Sequence, residues 1–121
     1  MNAGKFIESF FDAIFNNLPA KRRLSFEDIT KMFSDDVDKI ILQNEREGKQ
    51  FFSGKLLIRE MKEENFRVSF EMYFIIPDEE DCEVVKSEGG LIPMSRLKSE
   101  AILQLKANKE LVFEITAPQT V

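Results

Sequence analysis

The pattern of apolar and polar positions predicts helices at the start of the chain. Apolar residues recur there at spacings of one, three and four, which is typical of a helix with one broad apolar face: Phe6, Ile7, Phe10, Phe11, Ile14, Phe15 and Leu18. Pro19 would end this first helix, predicted over residues 3–17. Ser25 and Asp28 have the spacing of a capping box, so a short second helix is predicted to begin there and to end at Ser34-Asp35-Asp36. Its inner face would consist of Phe26, Ile29, Met32 and Phe33.

The middle of the chain is predicted to form strands. Residues 37–43 contain Val37, Ile40, Ile41 and Leu42 and predict a first strand. Residues 54–64 fit either a strand or a short helix. Every even-numbered residue from Phe66 to Ile76 is apolar, and the odd-numbered residues between them are mostly polar. This strict alternation predicts a long half-buried strand. An acidic turn over residues 77–81 would lead into a short return strand over residues 82–86.

Two interpretations fit the closing segment. Apolar residues alternate with other residues over 101–107 and again over 111–115, which predicts a hairpin that turns at Asn108-Lys109. A helix over 95–107 is the alternative, because four apolar residues also fit a helical spacing: Leu97, Ala101, Ile102 and Leu105. With either ending, helices and strands together predict an α+β domain.

The composition fits one globular domain. The chain has 121 residues, of which 43% are hydrophobic and 32% are charged, and a chain of this kind can bury its own core. A net charge of −5 argues against a nucleic-acid partner, because phosphate binding needs a basic surface. No apolar stretch approaches the length of a membrane-spanning helix, so no membrane partner is predicted. Cys82 is the only cysteine, which excludes an intramolecular disulfide and fits a cytoplasmic location.

The chemistry available to the chain is limited, because the sequence contains no histidine. This removes histidine-based nucleophile activation, histidine acid–base catalysis and most zinc sites. Cys82 without a histidine is a poor candidate nucleophile. The acidic run over residues 78–83 lacks the alternating ligands and the turn glycine of a calcium loop. We therefore predict no catalytic residue, no metal site and no cofactor.

Three segments of the chain resemble the nuclear transport factor 2-like superfamily, which includes SnoaL-like and ketosteroid isomerase-like branches. They are FIESFFDAIFNN over residues 6–17, MFSDDV over 32–37 and FSGKLLIRE over 52–60. The closing AILQLKANKELVFEI over residues 101–115 also matches the general pattern of the family. The resemblance implies one domain over residues 1–121, with N-terminal helices packed on a strongly curved antiparallel sheet. This cone-shaped α+β barrel, cystatin-like in fold, would make 54–64 a helix.

The catalytic residues of this family do not carry over to the chain. Ketosteroid isomerase-like members have a tyrosine on the first helix, and the matching position here is Phe11. They have an aspartate base on the first strand, and the matching position is near Ile41. Phenylalanine cannot donate a hydrogen bond and isoleucine cannot accept a proton, so the resemblance implies a non-catalytic member.

Cones of this family hold hydrophobic small molecules, and their outer sheet faces often form dimers, so the resemblance implies a small apolar ligand and a homodimer. Six side chains are the candidate pocket lining: Phe11, Phe15, Phe33, Ile41, Phe70 and Tyr73. Tyr73 drops out if Phe66, Phe70 and the other even-numbered residues of the long strand point inward. The same side chains could also fill the interior and leave no cavity.

We therefore expect a non-catalytic domain that binds a small apolar molecule or a protein partner. One alternative is a small isomerase, dehydratase or polyketide cyclase-like enzyme acting on a hydrophobic substrate. It would need a carboxylate such as Asp36 or Glu71 with a raised pKa beside Tyr73. The other alternative is an acidic inhibitor or immunity-type protein that covers a basic partner.

Overall fold

The computed structural model describes residues 16–19, 21–79 and 81–117, without the side chains of Asp35 and Asp36. The predicted first helix over residues 3–17 therefore lies almost entirely outside the described residues. Phe11 and Phe15, which belong to the predicted pocket lining, lie outside them as well.

A single long helix, α1, covers Phe26–Arg46. The capping box is confirmed, since Ser25 is the N-cap residue and Asp28 completes the box. The predicted end at residues 34–36 and the strand over 37–43 are wrong, because α1 continues through both. The buried apolar side chains keep one helical spacing along its inner face: Phe26, Ile29, Phe33, Val37, Ile40 and Ile41. This continuous face outweighs the strand preference of the β-branched residues in its second half.

Five strands follow and form one antiparallel sheet. They are β1 (Gln50–Met61), β2 (Asn65–Ile76), β3 (Asp81–Glu88), β4 (Ile92–Pro93) and β5 (Glu110–Ile115). The order is β3-β2-β1-β5, and β4 pairs with β2 beyond the end of β3. The long strand over 66–76 and the return strand are confirmed. Of the two alternatives for 54–64, the strand is correct for residues 54–61 and the helix implied by the family resemblance is wrong.

A second helix, α2 (Ser99–Asn108), lies between β4 and β5. The predicted hairpin is therefore wrong, and the alternative helix is correct. Ala101 and Leu105, four residues apart, bury one face of α2, while Leu103 between them is 70% exposed. Lys109 follows with a positive φ of 68° and ends the helix. The strand over 111–115 is confirmed, but it pairs with β1 instead of with residues 101–107.

The core lies on one face of the sheet. The even-numbered residues of β2 are buried against the helices, as the alternation predicts: Phe66, Val68, Phe70, Met72 and Phe74. Leu56 and Ile58 extend this face on β1, and each such side chain contributes about 1.5–3 kcal/mol by leaving water. The α+β class is confirmed as two helices packed on a five-stranded sheet that does not close.

Candidate binding groove

The predicted pocket residues divide between two places. Phe33, Ile41 and Phe70 belong to the core, where they are 1%, 0% and 1% exposed. Exposure this low is typical of close-packed interior side chains. Ile41 lies on α1 instead of on a strand, so the structure does not place it where the family has its aspartate. Tyr73 lies on the opposite face of the sheet, because Phe70, Met72 and the other even-numbered residues of β2 face the helices.

Tyr73 belongs to a polar cluster on the outer face of the sheet. Its hydroxyl donates a hydrogen bond to Oε2 of Glu71 at 2.9 Å. The same carboxylate lies 3.5 Å from Nζ of Lys55 and 3.7 Å from Nζ of Lys86. The hydrogen bond from Tyr73 is the main cause that lowers the pKa of Glu71, and the two lysines act in the same direction. The pKa of Tyr73 is raised by the same bond.

Glu71 does not have the raised pKa that the enzyme alternative assigned to its carboxylate. A catalytic carboxylate of the kind considered for the enzyme alternative needs a raised pKa, and the pKa of Glu71 is lowered. Cys82 is exposed and lies on the same face. Within the described parts of the chain, no three His, Cys, Asp or Glu side chains are grouped to hold a metal ion. None of the described helices is long and apolar enough to cross a membrane.

An open groove of about 490 Å³ lies between α1 and β5. Six apolar residues line it: Phe33, Val37, Leu56, Phe113, Ile115 and Ala117. Polar residues of α1 and of the end of β5 complete the lining: Thr30, Lys31, Ser34, Asp38, Glu114 and Thr116. Of the predicted pocket residues that the structure describes, Phe33 alone contributes to this groove.

The inner face of the sheet is less completely covered at β5 than at β1. The inward side chains of β1 opposite β5, Leu56 and Ile58, are buried. Their neighbours on β5, Phe113 and Leu111, are only half-buried. The Phe26 ring packs on Phe113 with 6.0 Å between ring centroids and so joins the start of α1 to β5. Apolar surface therefore remains accessible along the inner side of β5.

The outer edge of β5 has no strand beside it in the described part of the chain. β5 pairs with β1 on one side and is the last strand of the sheet. Its side chains alternate between half-buried inward residues and exposed outward residues, the latter being Glu110, Val112 and Glu114. An edge of this kind presents backbone N–H and C=O groups that another chain can pair with.

A second depression, of about 580 Å³, lies on the outer face of the sheet. Arg59 of β1 lies directly opposite Arg67 of β2 there. Each arginine has an acidic partner: Arg59 Nε lies 3.4 Å from Oε2 of Glu110, and a guanidinium nitrogen of Arg67 lies 3.9 Å from Oε2 of Glu88. Arg59 Nε, Arg67 Nε and Ser87 Oγ are nevertheless buried without a hydrogen-bond partner among the described residues, so this depression is a polar site of a different kind from the apolar groove.

Comparison of the chain with protein-family models, with curated proteins and with solved structures found no significant match. The candidate site therefore depends on its geometry. Sequence reasoning missed most of the groove lining, including Val37, Leu56, Phe113 and Ile115. The alternation over 111–115 correctly indicated a strand. The predicted hairpin, however, paired this strand with residues 101–107, so the sequence did not indicate that it lies at the edge of the described sheet.

Proposed function

We propose that this domain is a non-catalytic binding module, and that its ligand lies in the groove between α1 and β5. The observation that carries the proposal is the half-buried apolar surface of Phe113 and Ile115, beside a strand edge that no other described strand pairs with. Apolar surface lined by a few polar groups is typical of ligand sites. The lowered pKa of Glu71 argues against Glu71 as the carboxylate of the enzyme alternative, whereas the side chain of Asp36, the other carboxylate named for it, lies outside the described residues.

The finer parts of the expectation remain predictions. Membership of the nuclear transport factor 2-like superfamily, with its cone-shaped, cystatin-like fold, is supported by the sequence segments named above. The long α1 and the strand β1 differ from what that resemblance implied for residues 37–43 and 54–64. Homodimer formation and a cytoplasmic location also remain predictions.

The proposal is tested with anilinonaphthalene sulfonate, a dye that fluoresces when it enters apolar surface. Ser34 is exposed on α1 and lines the groove, so Ser34→Trp fills the groove without removing a core side chain. Gln43→Trp is the matched control, because Gln43 is an exposed α1 residue that does not line the groove. We expect saturable dye binding to the wild-type protein and to Gln43→Trp, and its loss in Ser34→Trp.

Circular dichroism should show that both variants keep the wild-type helix content. Equal dye binding by all three proteins would place the dye elsewhere and reject the groove as the site. Absence of saturable binding to the wild-type protein would reject the groove as a site for apolar ligands.

A further inference from the structure

We infer that the ligand of this groove is an extended peptide segment with alternating apolar and basic residues, which adds as a further strand to the edge of β5 that no described strand occupies. The inference rests on the proposed function and specifies its ligand. A small apolar molecule could cover Phe113 and Ile115, but it would leave the backbone groups of the β5 edge unpaired. An added strand satisfies both features of the site, because it pairs with the edge and also supplies side chains.

The periodicity of a strand matches the groove. Successive side chains of a strand point to opposite faces, so every second residue of the added segment would point to the side of Phe113 and Ile115. The groove follows β5 and the residues after it from Phe113 to Ala117. This length corresponds to about 16 Å of strand, which seats two or three alternate side chains. The inward positions of the segment are therefore apolar.

The charge of β5 determines the other positions of the segment. Glu110 and Glu114 are exposed on the outer face, on either side of Val112. Glu110 already pairs with Arg59, whereas Glu114 makes no ion pair with another described residue. Opposite charges on neighbouring strands stabilise their pairing. Lysine or arginine at the outward positions of the segment would therefore complement β5, and the net charge of −5 acts in the same direction.

A second copy of the chain fits this edge less well. Antiparallel pairing of β5 with β5 of another copy, centred on Val112, would place Glu110 of each copy opposite Glu114 of the other. Like charges directly opposite each other destabilise a strand pair. Charged residues on a strand edge are a common means of preventing such self-association.

The test measures fluorescence anisotropy of a labelled peptide, KIKVKIKV, titrated with the purified protein at low ionic strength. Two control peptides separate the contributions. EIEVEIEV keeps the apolar positions and reverses the charge. A KIKVKIKV peptide that is N-methylated at every residue keeps the side chains but offers no backbone N–H to the β5 edge. We expect KIKVKIKV to bind and both control peptides to bind at least about tenfold more weakly.

The protein variant Glu114→Lys reverses an exposed charge beside the groove and leaves the core intact. It should weaken KIKVKIKV binding by about tenfold and strengthen EIEVEIEV binding, since it exchanges attraction for repulsion across the strand pair. Native mass spectrometry should give the same oligomeric state for the wild-type protein and for Glu114→Lys, since strand addition at β5 needs no second copy of the chain.

Four outcomes would overturn the inference. If the dye binds in the groove but KIKVKIKV does not, the ligand is a small apolar molecule and only the proposed function stands. If the N-methylated peptide binds as tightly as KIKVKIKV, strand addition is wrong. If native mass spectrometry shows a dimer that Glu114→Lys alters, the edge of β5 belongs to a second copy. Loss of both dye and peptide binding would reject the proposed function as well.

Discussion

At the start of α1, the side chains of Ser25 and Asp28 each accept a hydrogen bond from the backbone N–H of the other residue. The Ser25 Oγ accepts a hydrogen bond from the backbone N–H of Asp28 at 3.1 Å, and Oδ2 of Asp28 accepts one from the backbone N–H of Ser25 at 2.9 Å. The hydrogen bond from the Ser25 backbone is the main cause that lowers the pKa of Asp28. This pair connects a local sequence signal to the longest helix of the described chain.

Replacement of the capping serine should destabilise the protein. Ser25→Ala removes the acceptor for the Asp28 N–H and should lower the free energy of unfolding by about 1 kcal/mol. Urea unfolding followed by circular dichroism measures this change. Ser34→Ala is the control, because the Ser34 Oγ only donates to the Lys31 carbonyl within the same helix. If both variants lose equal stability, the capping box is not the cause.

Removal of the Tyr73 hydroxyl should change the titration of Glu71. Tyr73→Phe removes the main cause of the lowered pKa, so the pKa of Glu71 should rise toward its ordinary value of about 4.3. Lys86→Met and Lys55→Met should each raise the pKa of Glu71 by less, since the charge of each lysine lowers this pKa less than the hydrogen bond from Tyr73 does. NMR titration of the Glu71 carboxyl carbon measures all three shifts.

The same substitution should alter the acid sensitivity of the fold. A carboxyl with a lowered pKa in the folded state stabilises that state above its unfolded pKa, and this stabilisation is lost as pH falls through the folded pKa. The free energy of unfolding should therefore decrease less steeply below about pH 4 in Tyr73→Phe than in the wild-type protein. An unchanged slope would mean that the hydrogen bond to Glu71 does not affect acid stability.

Gly54 should not tolerate a side chain. A Cβ at this position of β1 would lie 3.1 Å from Cβ of Ile115 and 3.3 Å from both the Glu71 carbonyl oxygen and Cγ of Met72. Gly54→Ala should therefore cost about 1–3 kcal/mol in free energy of unfolding. Gly90→Ala is the matched control, since a Cβ there meets no atom within 4 Å. Equal stability of the two variants would contradict the crowding of β1 between its neighbours.

The turn between β1 and β2 contains backbone strain that glycine should relieve. Glu63 and Glu64 have φ values of 61° and 58°, a conformation that L-residues adopt at a cost. Glu63→Gly should raise the free energy of unfolding by about 0.5–1 kcal/mol, measured by urea unfolding. Glu64→Gly should gain less, because it also removes an ion pair of 2.8 Å with Lys106. A lower free energy of unfolding in Glu63→Gly would contradict the inference that the backbone at Glu63 is strained.

Local signals predicted the parts of the fold that depend on local interactions. The alternation over 66–76 identified β2 because one face of that strand is buried and the other is not. The capping box identified the start of α1 but not its end, since Asp35-Asp36 resembled a stop signal. The helical spacing from Phe33 to Val37 and Ile41 shows that the helix continues. The sequence of residues 101–107 fits both the alternation of a strand and the spacing of a helix. The segment is helical because Ala101 and Leu105 then lie on one face and pack in the core.

The candidate site was less predictable for a physical reason. Phe33, Ile41 and Phe70, predicted to line a pocket, are buried in the core, because apolar character does not distinguish a packed core from the lining of a cavity. The groove depends on which strand lies at the edge of the sheet, and strand order is a long-range property. Phe113 and Ile115 could be recognised as site residues only after β5 had been placed beside β1.

The position of β1 between β2 and β5 has a consequence for synthesis of the chain. β1 can pair with β2 as soon as residue 76 has left the ribosome, because a short turn joins the two strands. The other edge of β1, at Gly54–Arg59, can pair only after Glu110–Ile115 has been synthesised, about fifty residues later. A nascent chain that stalls in this interval presents β1 as an unpaired edge, and such edges promote aggregation. Chaperones should therefore bind nascent chains most strongly before residue 110 has left the ribosome.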